Sequence, residues 1–180
     1  MKRSLFLAIA TIALVAAPRA NAQLGALKPF QLGIAGGAAQ PMSTLSDGAS
    51  TGYNGTVAMA INLPFIPVGL RVDGAYNQFG EKTGVPGKLR VASATGNVVW
   101  RLPSIGISPY LIGGAGLYMS TVSAPGVASV SENHLGYNAG VGINLPLSVF
   151  HAFVEARYNR VQLDNSQNMQ FVPVTFGIMF

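Results

Sequence analysis

The residues best suited to catalysis in this sequence are its two histidines, His134 and His151. A hydrolytic site needs a nucleophile, a base and a third group that orients the base. Ser131 and Glu132 supply suitable residue types close to His134, but we expect this segment to be a loop. His151 is followed by two apolar residues, which offer no polar partner. We therefore predict no catalytic residues, and we expect that the protein is not an enzyme.

Two glycine pairs, Gly114-x-Gly116 and Gly140-x-Gly142, could each begin a phosphate-binding loop. In both, the third position of the G-x-G-x-x-G pattern holds methionine or leucine instead of glycine. Close packing of strands in a curved barrel explains these glycines better. The chain has no cysteine, so it has no disulfide framework. We expect no cofactor and no metal site.

Four charged residues form another candidate site: Arg71 and Asp73, and Glu155 and Arg157, are each two positions apart. Residues two apart on a β-strand point to the same face, so each pair places an arginine beside a carboxylate. Arg71 and Asp73 fall in a predicted strand over residues 68–79, and Glu155 and Arg157 fall in one over residues 150–160. In each strand the pair lies on the face that holds the polar residues. We interpret them as a charge network that fills a barrel interior, where charges must be paired. Alternatively, the same four residues line a gated ion path.

The N-terminus has the pattern of a secretory signal peptide. Met1-Lys2-Arg3 is basic, residues 5–17 are apolar, and Ala20-Asn21-Ala22 supplies a small-x-small cleavage site. The apolar stretch is too short for a transmembrane helix, because a membrane core is about 30 Å thick. We predict a signal peptide over residues 1–22 and one domain over residues 23–180.

Composition narrows the class of protein. Charged residues make up 9% of the chain and the mean hydropathy is +0.39, which is high for a soluble domain. The longest uncharged stretch, 102–131, is broken by prolines and glycines and cannot be one membrane helix. A closed β-barrel also pairs every backbone group in lipid. The net charge falls from +5 to +2 when Lys2, Arg3 and Arg19 leave with the signal peptide, so no nucleic-acid partner is expected.

Alternation of apolar and polar residues predicts about eight strands. In the segment 53–63, Tyr53, Val57 and Ile61 share one face, whereas Asn54 and Asn62 share the other. We assign the apolar face to lipid and the polar face to the barrel interior. The predicted strands cover residues 30–39, 53–63, 68–79, 89–102, 109–119, 134–145, 150–160 and 171–180.

The connections between these strands alternate in length, which is typical of membrane barrels. Short turns are predicted at 64–67, 103–108 and 146–149, and long loops at 40–52, 80–88, 120–133 and 161–170. The fourth strand has the poorest pattern, because Arg90 and Trp100 fall on the same face. We expect a β-bulge near Gly96, or a later start of this strand.

Aromatic residues lie near both ends of the predicted strands, where the two membrane interfaces favour them. The predicted interface aromatics are Tyr53, Tyr76, Trp100, Tyr110, Tyr118, Tyr137 and Tyr158. The last strand also alternates strictly, with Val172, Val174, Phe176, Ile178 and Phe180 on one face. An open edge strand promotes aggregation unless it is paired. We therefore expect this strand to close a barrel by pairing with the first.

The signal peptide, the amphipathic strands, the short Leu-Pro turns and the terminal Phe180 together resemble the small outer-membrane β-barrel family that includes opacity-type and OmpX-like proteins. The resemblance covers essentially the whole mature chain. It implies an all-β, antiparallel, up-and-down transmembrane barrel of eight strands in the outer membrane of a Gram-negative cell, surrounded by outer-membrane lipid. It also implies that the assembly machinery reads the apolar face of residues 172–180.

We predict a structural or surface-interaction role with a plugged interior, and the pattern identifies no ligand for the external loops. One alternative is a soluble periplasmic lipocalin-like barrel, in which the apolar face would point inward and bind an apolar ligand. The other alternative is a narrow ion channel. It is less favoured because eight strands leave an interior just wide enough for side chains.

Overall fold

The computed structural model describes residues 29–180 except 64–65, 83–86, 105, 124–125, 127–128, 148–149 and 164–166. The predicted signal peptide lies outside the described residues. The strands are β1 (Phe30–Met42), β2 (Ala49–Asn62), β3 (Val68–Glu81), β4 (Lys88–Arg101), β5 (Ser108–Ser123), β6 (Val130–Pro146), β7 (His151–Gln162) and β8 (Asn168–Met179), and one short helix is α1 (Leu45–Gly48). Within this part of the chain, no helix has the length and apolar character needed to cross a membrane.

The strands form a closed antiparallel barrel in which each strand pairs with the next and β8 pairs with β1. Stepping from partner to partner once around the barrel from Gln31 leads back to β1 at Pro41, ten residues further along. Such a stagger accompanies strand tilts of about 35–45°. Leu32 and Phe180 exchange backbone hydrogen bonds of 3.0 and 2.8 Å at the closing pair. The predicted up-and-down barrel of eight strands is confirmed.

The two faces of the sheet differ as the alternation predicts. Val57 and Phe176 on the outer face are 61% and 59% exposed, whereas Asn54 and Asn138 on the inner face are 5% and 3% exposed. A soluble barrel for an apolar ligand would need the opposite arrangement. The outer wall is therefore apolar and the interior largely polar.

The barrel has a terminal end, which holds Phe30 and Phe180, and a distal end opposite it. At the distal end the strands extend well beyond the prediction, into the predicted loops 40–52, 80–88, 120–133 and 161–170. The pairing of β5 with β6, for example, continues to Val122 and Val130. Backbone hydrogen bonding continues there after the apolar alternation has ended, so the pattern alone underestimated these strands.

Two local predictions were wrong. The fourth strand has no bulge near Gly96, because its pairing with β3 and with β5 is uninterrupted. The strand also does not start later than predicted, because it begins at Lys88, and Arg90 lies on its outer face near the distal end. The irregularity lies in β2 instead, between Ser50 and Tyr53. Ser131 and Glu132 are not in a loop but in β6, which begins at Val130, and His134 lies on the inner face of that strand, where it is 6% exposed.

The interior is layered along the barrel axis. Near the distal end lies an apolar cluster formed by Ala39, Ala49, Phe79, Val91, Tyr118, Val161, Met169 and Phe171. The Phe79 and Phe171 rings meet edge to face, with centroids 5.4 Å apart. Charged and amide side chains occupy the middle of the barrel. The four predicted network residues lie in this middle layer.

A candidate functional site inside the barrel

The candidate site is built on β3 and β7, which face each other across the ring of eight strands. Arg71 and Asp73 project inward from β3, and Glu155 and Arg157 project inward from β7. All four side chains are buried, with exposed fractions between 1% and 9%. The structure thus brings together the four residues that the sequence pairs only two by two. We call this group the charge network.

Glu155 is the most heavily contacted member of the charge network. Arg71 Nη2 donates to both of its carboxylate oxygens, at 2.9 and 2.7 Å. Arg157 donates from Nε at 3.0 Å and also from Nη2. The hydroxyl of Tyr110 donates to Oε2 at 2.8 Å. One carboxylate therefore joins two arginines and a tyrosine.

Asp73 completes the ring on the other wall. Arg71 Nε lies 3.0 Å from Oδ1 of Asp73, and Arg157 Nη1 donates to Oδ2 at 2.8 Å. Asn97 donates to the same oxygen at 2.9 Å. Each arginine thus contacts the carboxylate of its own strand and the carboxylate across the barrel. Two cations and two anions form a closed cycle without formal net charge, which is how buried charges are tolerated.

Uncharged residues extend the network, and sequence reasoning did not identify them. Asn138 donates to Asn97 at 2.9 Å, which links β6 to β4. Tyr118 donates to Asn159 at 2.9 Å. The Arg71 guanidinium also lies over the Phe153 ring, 5.9 Å from its centroid. The repeated inward-facing asparagines were the available signal, because each lies on the polar face of its strand.

The unfilled space beside the network is small. A cavity of about 30 Å³ lies among Arg71, Glu155, Arg157, Phe153 and Thr175, together with further inward residues. That volume holds about two water molecules, since one water needs roughly 10–15 Å³ by this measure. The side chains of the middle layer therefore leave little open space beside the network.

Inward-facing glycines make room for aromatic rings. A Cβ atom added at Gly142 would clash with the ring of Tyr110, its partner on β5. A Cβ added at Gly177 would lie 2.6 Å from Cζ of Phe153. Glycine at these positions lets each ring lie flat against the neighbouring strand. A Cβ added at Gly114, Gly116 or Gly140 would lie 2.1–2.5 Å from a backbone oxygen of the neighbouring strand, so the glycine pairs serve packing, as the sequence analysis preferred.

The predicted interface aromatics divide into two groups. Four are 40–55% exposed on the outer wall: Tyr53, Tyr76, Trp100 and Tyr137. A fifth, Tyr158, is half-buried on the same wall. The prediction was wrong for Tyr110 and Tyr118, which point inward and are 2% and 1% exposed. They share a strand face with Gly114 and Gly116 of β5, and their hydroxyls have hydrogen-bond partners inside the barrel. Position near a strand end did not reveal the direction of the side chain.

The residues of the predicted C-terminal signal share the outer face of β8. Val174, Phe176 and Phe180 are 47%, 59% and 49% exposed, and Val172 and Ile178 are half-buried. Met179, on the other face, is 7% exposed. An apolar row therefore runs along the strand that closes the barrel.

Within the described residues, His134 does not form a catalytic arrangement with the nearby Ser131. Nε2 of His134 lies 3.5 Å from Oε2 of Glu132, while the Ser131 hydroxyl lies 2.9 Å from that of Thr121. Among these residues, no three His, Cys, Asp or Glu side chains are grouped so that they could hold a metal ion.

Comparison with known proteins gives a consistent result. Residues 5–180 match the family model of the outer membrane protein beta-barrel domain. A search of curated proteins gives no match. Similar solved structures include Neisserial surface protein A, at 14% identity and TM-score 0.72 over 84% of this chain and 96% of that chain. Another is the attachment invasion locus protein Ail of Yersinia pestis, solved with the heparin analogue sucrose octasulfate. It is similar at 23% identity and TM-score 0.55, over 85% of this chain and 100% of that chain.

The N-terminal β-barrel domain of Pseudomonas aeruginosa OprF is also similar, at 12% identity and TM-score 0.52 over 83% of this chain and 97% of that chain. At such identities the likeness concerns the fold. In this class of barrel, short turns face the periplasm and longer hairpins face outward. With its apolar outer wall, closed sheet and matching family model, the chain belongs to the outer membrane protein β-barrel family and resides in the outer membrane.

Proposed function

We propose that this protein is a closed, non-enzymatic scaffold that presents its distal hairpins at the cell surface. The observation that carries the proposal is the charge network, whose two arginines and two carboxylates neutralise one another across the bore. A passing ion would have to displace paired groups that fill a narrow lumen. The apolar cluster at the distal end adds a second obstacle. These features favour a plug over an ion path.

The surroundings of His134 support a role without catalysis. The candidate nucleophile Ser131 contacts a threonine, not a histidine, within the described residues. The outer wall, rich in exposed Val, Leu, Ile and aromatic side chains, suits the lipid of the outer membrane. The apolar row of β8, which ends at Phe180, would be the segment that the outer-membrane assembly machinery recognises.

Conductance in planar lipid bilayers tests the plug. We expect the wild-type barrel to stay essentially closed, because the paired side chains occupy the bore. The comparison is between Glu155→Lys, inside the network, and Lys82→Glu, a charge reversal outside it. A large steady wild-type conductance whose selectivity changes with Glu155→Lys but not with Lys82→Glu would replace the plug by a channel.

Epitope insertion tests presentation at the surface. A tag at Gly126, in the distal connection between β5 and β6, should bind antibody on intact cells. A tag at Leu147, in the connection between β6 and β7 at the terminal end, should bind antibody only after the cells are opened. The reverse pattern would contradict the orientation and with it the scaffold role.

A further inference from the structure

A second cavity lies at the distal end of the barrel, where β1 ends and β8 begins. Its volume is about 290 Å³, and it is lined by Ser43, Thr44, Gln167, Asn168 and Gln170. The cavity beside the charge network, in comparison, holds about 30 Å³. Sites for small molecules begin at about 300 Å³, so the distal cavity is large enough for one small ligand. We call it the seam cavity, because it lies at the distal end of the seam that joins β1 to β8.

One wall of the seam cavity belongs to the start of β8. Asn168 is the first residue of this strand. Gln170 is paired in register with Met42, the last residue of β1. Just before the strand, the carbonyl of Gln167 accepts a hydrogen bond of 2.9 Å from the backbone amide of Leu163. Backbone pairing therefore fixes this wall independently of any ligand.

The opposite wall is the turn between β1 and α1. Ser43 has a φ of 53°, a left-handed conformation that is uncommon outside glycine. Its carbonyl accepts hydrogen bonds from the backbone amide and the hydroxyl of Ser46, at 2.9 and 2.6 Å. Lys82 Nζ donates to the carbonyl of Ser46 at 2.7 Å, which ties α1 to the residue after β3. The turn is thus held in place, with Ser43 and Thr44 beside the start of β8.

The polar side chains of the seam cavity are not used by the described part of the protein. None of the five lining residues makes a hydrogen bond through its side chain to another described residue. Thr44 precedes α1, yet its hydroxyl does not cap the helix. Carboxamides and hydroxyls each donate and accept hydrogen bonds. The cavity therefore offers a ligand an array of both donors and acceptors.

The lining favours an uncharged ligand. All five described lining residues carry a hydroxyl or a carboxamide, and none of them is charged. Arg160 is the register partner of Gln170 on β7 but does not line the cavity. A carboxylate or phosphate would enter without a cation to pair with, and an apolar ligand would leave the amides without hydrogen-bond partners. A ligand with several hydroxyl groups satisfies both the donors and the acceptors.

We propose that the seam cavity binds a neutral hexose unit, either free or at the end of a glycan. The ring hydroxyls would exchange hydrogen bonds with Thr44, Asn168 and Gln170, while the methylene groups of the glutamines would contact the C–H face of the ring. The sulfated sugar with which Ail was solved belongs to another class of ligand, because sulfate groups need cations. This inference goes beyond the scaffold role, and only the direction in which the cavity opens rests on that proposal.

Saturation-transfer NMR tests the seam cavity, with the full-length folded barrel in a detergent that has no sugar headgroup. The probes are glucose, galactose and mannose, together with the uronic acid of each. We expect at least one neutral hexose to bind saturably, and at least about tenfold more tightly than its uronic acid. Saturable binding of none of the three hexoses, or equally tight binding of the matching uronic acid, would overturn the proposal.

A double variant tests whether the hexose occupies this cavity. Asn168→Ala with Gln170→Ala removes two lining amides and should weaken binding of the hexose about tenfold or more. The matched control, Asn133→Ala with Gln78→Ala, removes the same two groups from outward positions at the distal end of β6 and β3. It should change binding by less than about twofold. Equal effects of the two double variants would overturn the site.

Single variants keep the test informative if the double variant does not fold. Thr44→Val retains the shape of the side chain but removes the hydroxyl, and should weaken binding about two- to fivefold. Thr121→Val makes the same change on β5 and should leave binding unchanged. Arg160→Gln should also leave it unchanged, because an uncharged ligand does not depend on that cation. Loss of hexose binding in Arg160→Gln, or equal effects of the two threonine variants, would contradict the proposal.

A competition experiment separates the two sources of the hexose. Displacement of the bound hexose by an oligosaccharide that ends in it assigns the site to glycan ends, whereas displacement by the free sugar alone assigns it to free sugars. Either result supports a neutral hexose unit, and displacement by neither would overturn it. Because these measurements use detergent, their failure leaves the plug and the surface presentation intact. The bilayer and epitope experiments address those separately.

Discussion

The charge network should couple Arg71 and Glu155 energetically. Glu155→Gln retains the shape of the side chain but leaves two buried arginines with Asp73 as their only carboxylate. Breaking a buried ion pair costs about 3–5 kcal/mol. The neighbouring cavity of about 30 Å³ admits water and lowers this cost. We therefore expect Glu155→Gln to reduce the free energy of unfolding by about 2–4 kcal/mol.

Arg71→Gln alone should cost a similar amount, because it leaves the network with one excess negative charge. The double variant restores neutrality, so its cost should be about 1–3 kcal/mol less than the sum of the single costs. This non-additivity separates charge pairing from a general loss of packing.

Urea unfolding of the barrel in lipid vesicles measures these costs. Trp100 is the only tryptophan of the chain and is 50% exposed on the outer wall, so its fluorescence reports departure from lipid. Lys82→Gln, an exposed charge outside the network, should change stability by less than about 0.5 kcal/mol. Strictly additive single variants, or a Glu155→Gln barrel as stable as the wild type, would refute the coupling.

Other parts of the structure give sharper local tests. Gly142→Ala places a methyl group against the ring of Tyr110 and should lower the free energy of unfolding by about 1–3 kcal/mol in the same urea assay. The control is Gly48→Ala, where the added Cβ meets no atom within 4 Å. Equal losses of stability in the two variants would contradict the packing role. A spin label at Val57 should relax faster with lipid-soluble oxygen than with a water-soluble nickel chelate, and the opposite order would contradict a lipid-facing wall. Phe180→Asp should lower the cellular yield of assembled barrel more than Met179→Asp, and equal yields would count against recognition of the apolar row.

The fold was readable from the sequence because period-two alternation is a local property that survives tilt and closure. Alternation alone, for example, predicts that Val57 points outward and Asn54 points inward. Strand ends were harder to predict, because backbone pairing at the distal end continues beyond the point where the alternation of apolar and polar residues ends. The pairing of Val122 with Val130 belongs to that region.

The site was only partly readable. The alternation of polar and apolar residues placed Arg71 and Glu155 on the inner face of the barrel. Which inward residues lie at the same position along the barrel axis depends on the register of all eight strand pairs. Tyr110 shows the limit, because its contact with Glu155 depends on this register and on the glycine opposite it on β6. Near a strand end, an inward tyrosine and an outward one look alike in sequence.

The contact between Arg71 and Glu155 joins residues 84 positions apart, which bears on the order in which the barrel assembles. While the sheet is still open, the charges of β3 have no partner on the opposite wall and must remain in water. An open sheet therefore cannot bury its inner face in lipid, because unpaired charges are costly there. The four charges can lose their hydration together only when barrel closure brings β7 opposite β3. We expect the step that completes the cylinder to be the same step that makes its interior compatible with the membrane.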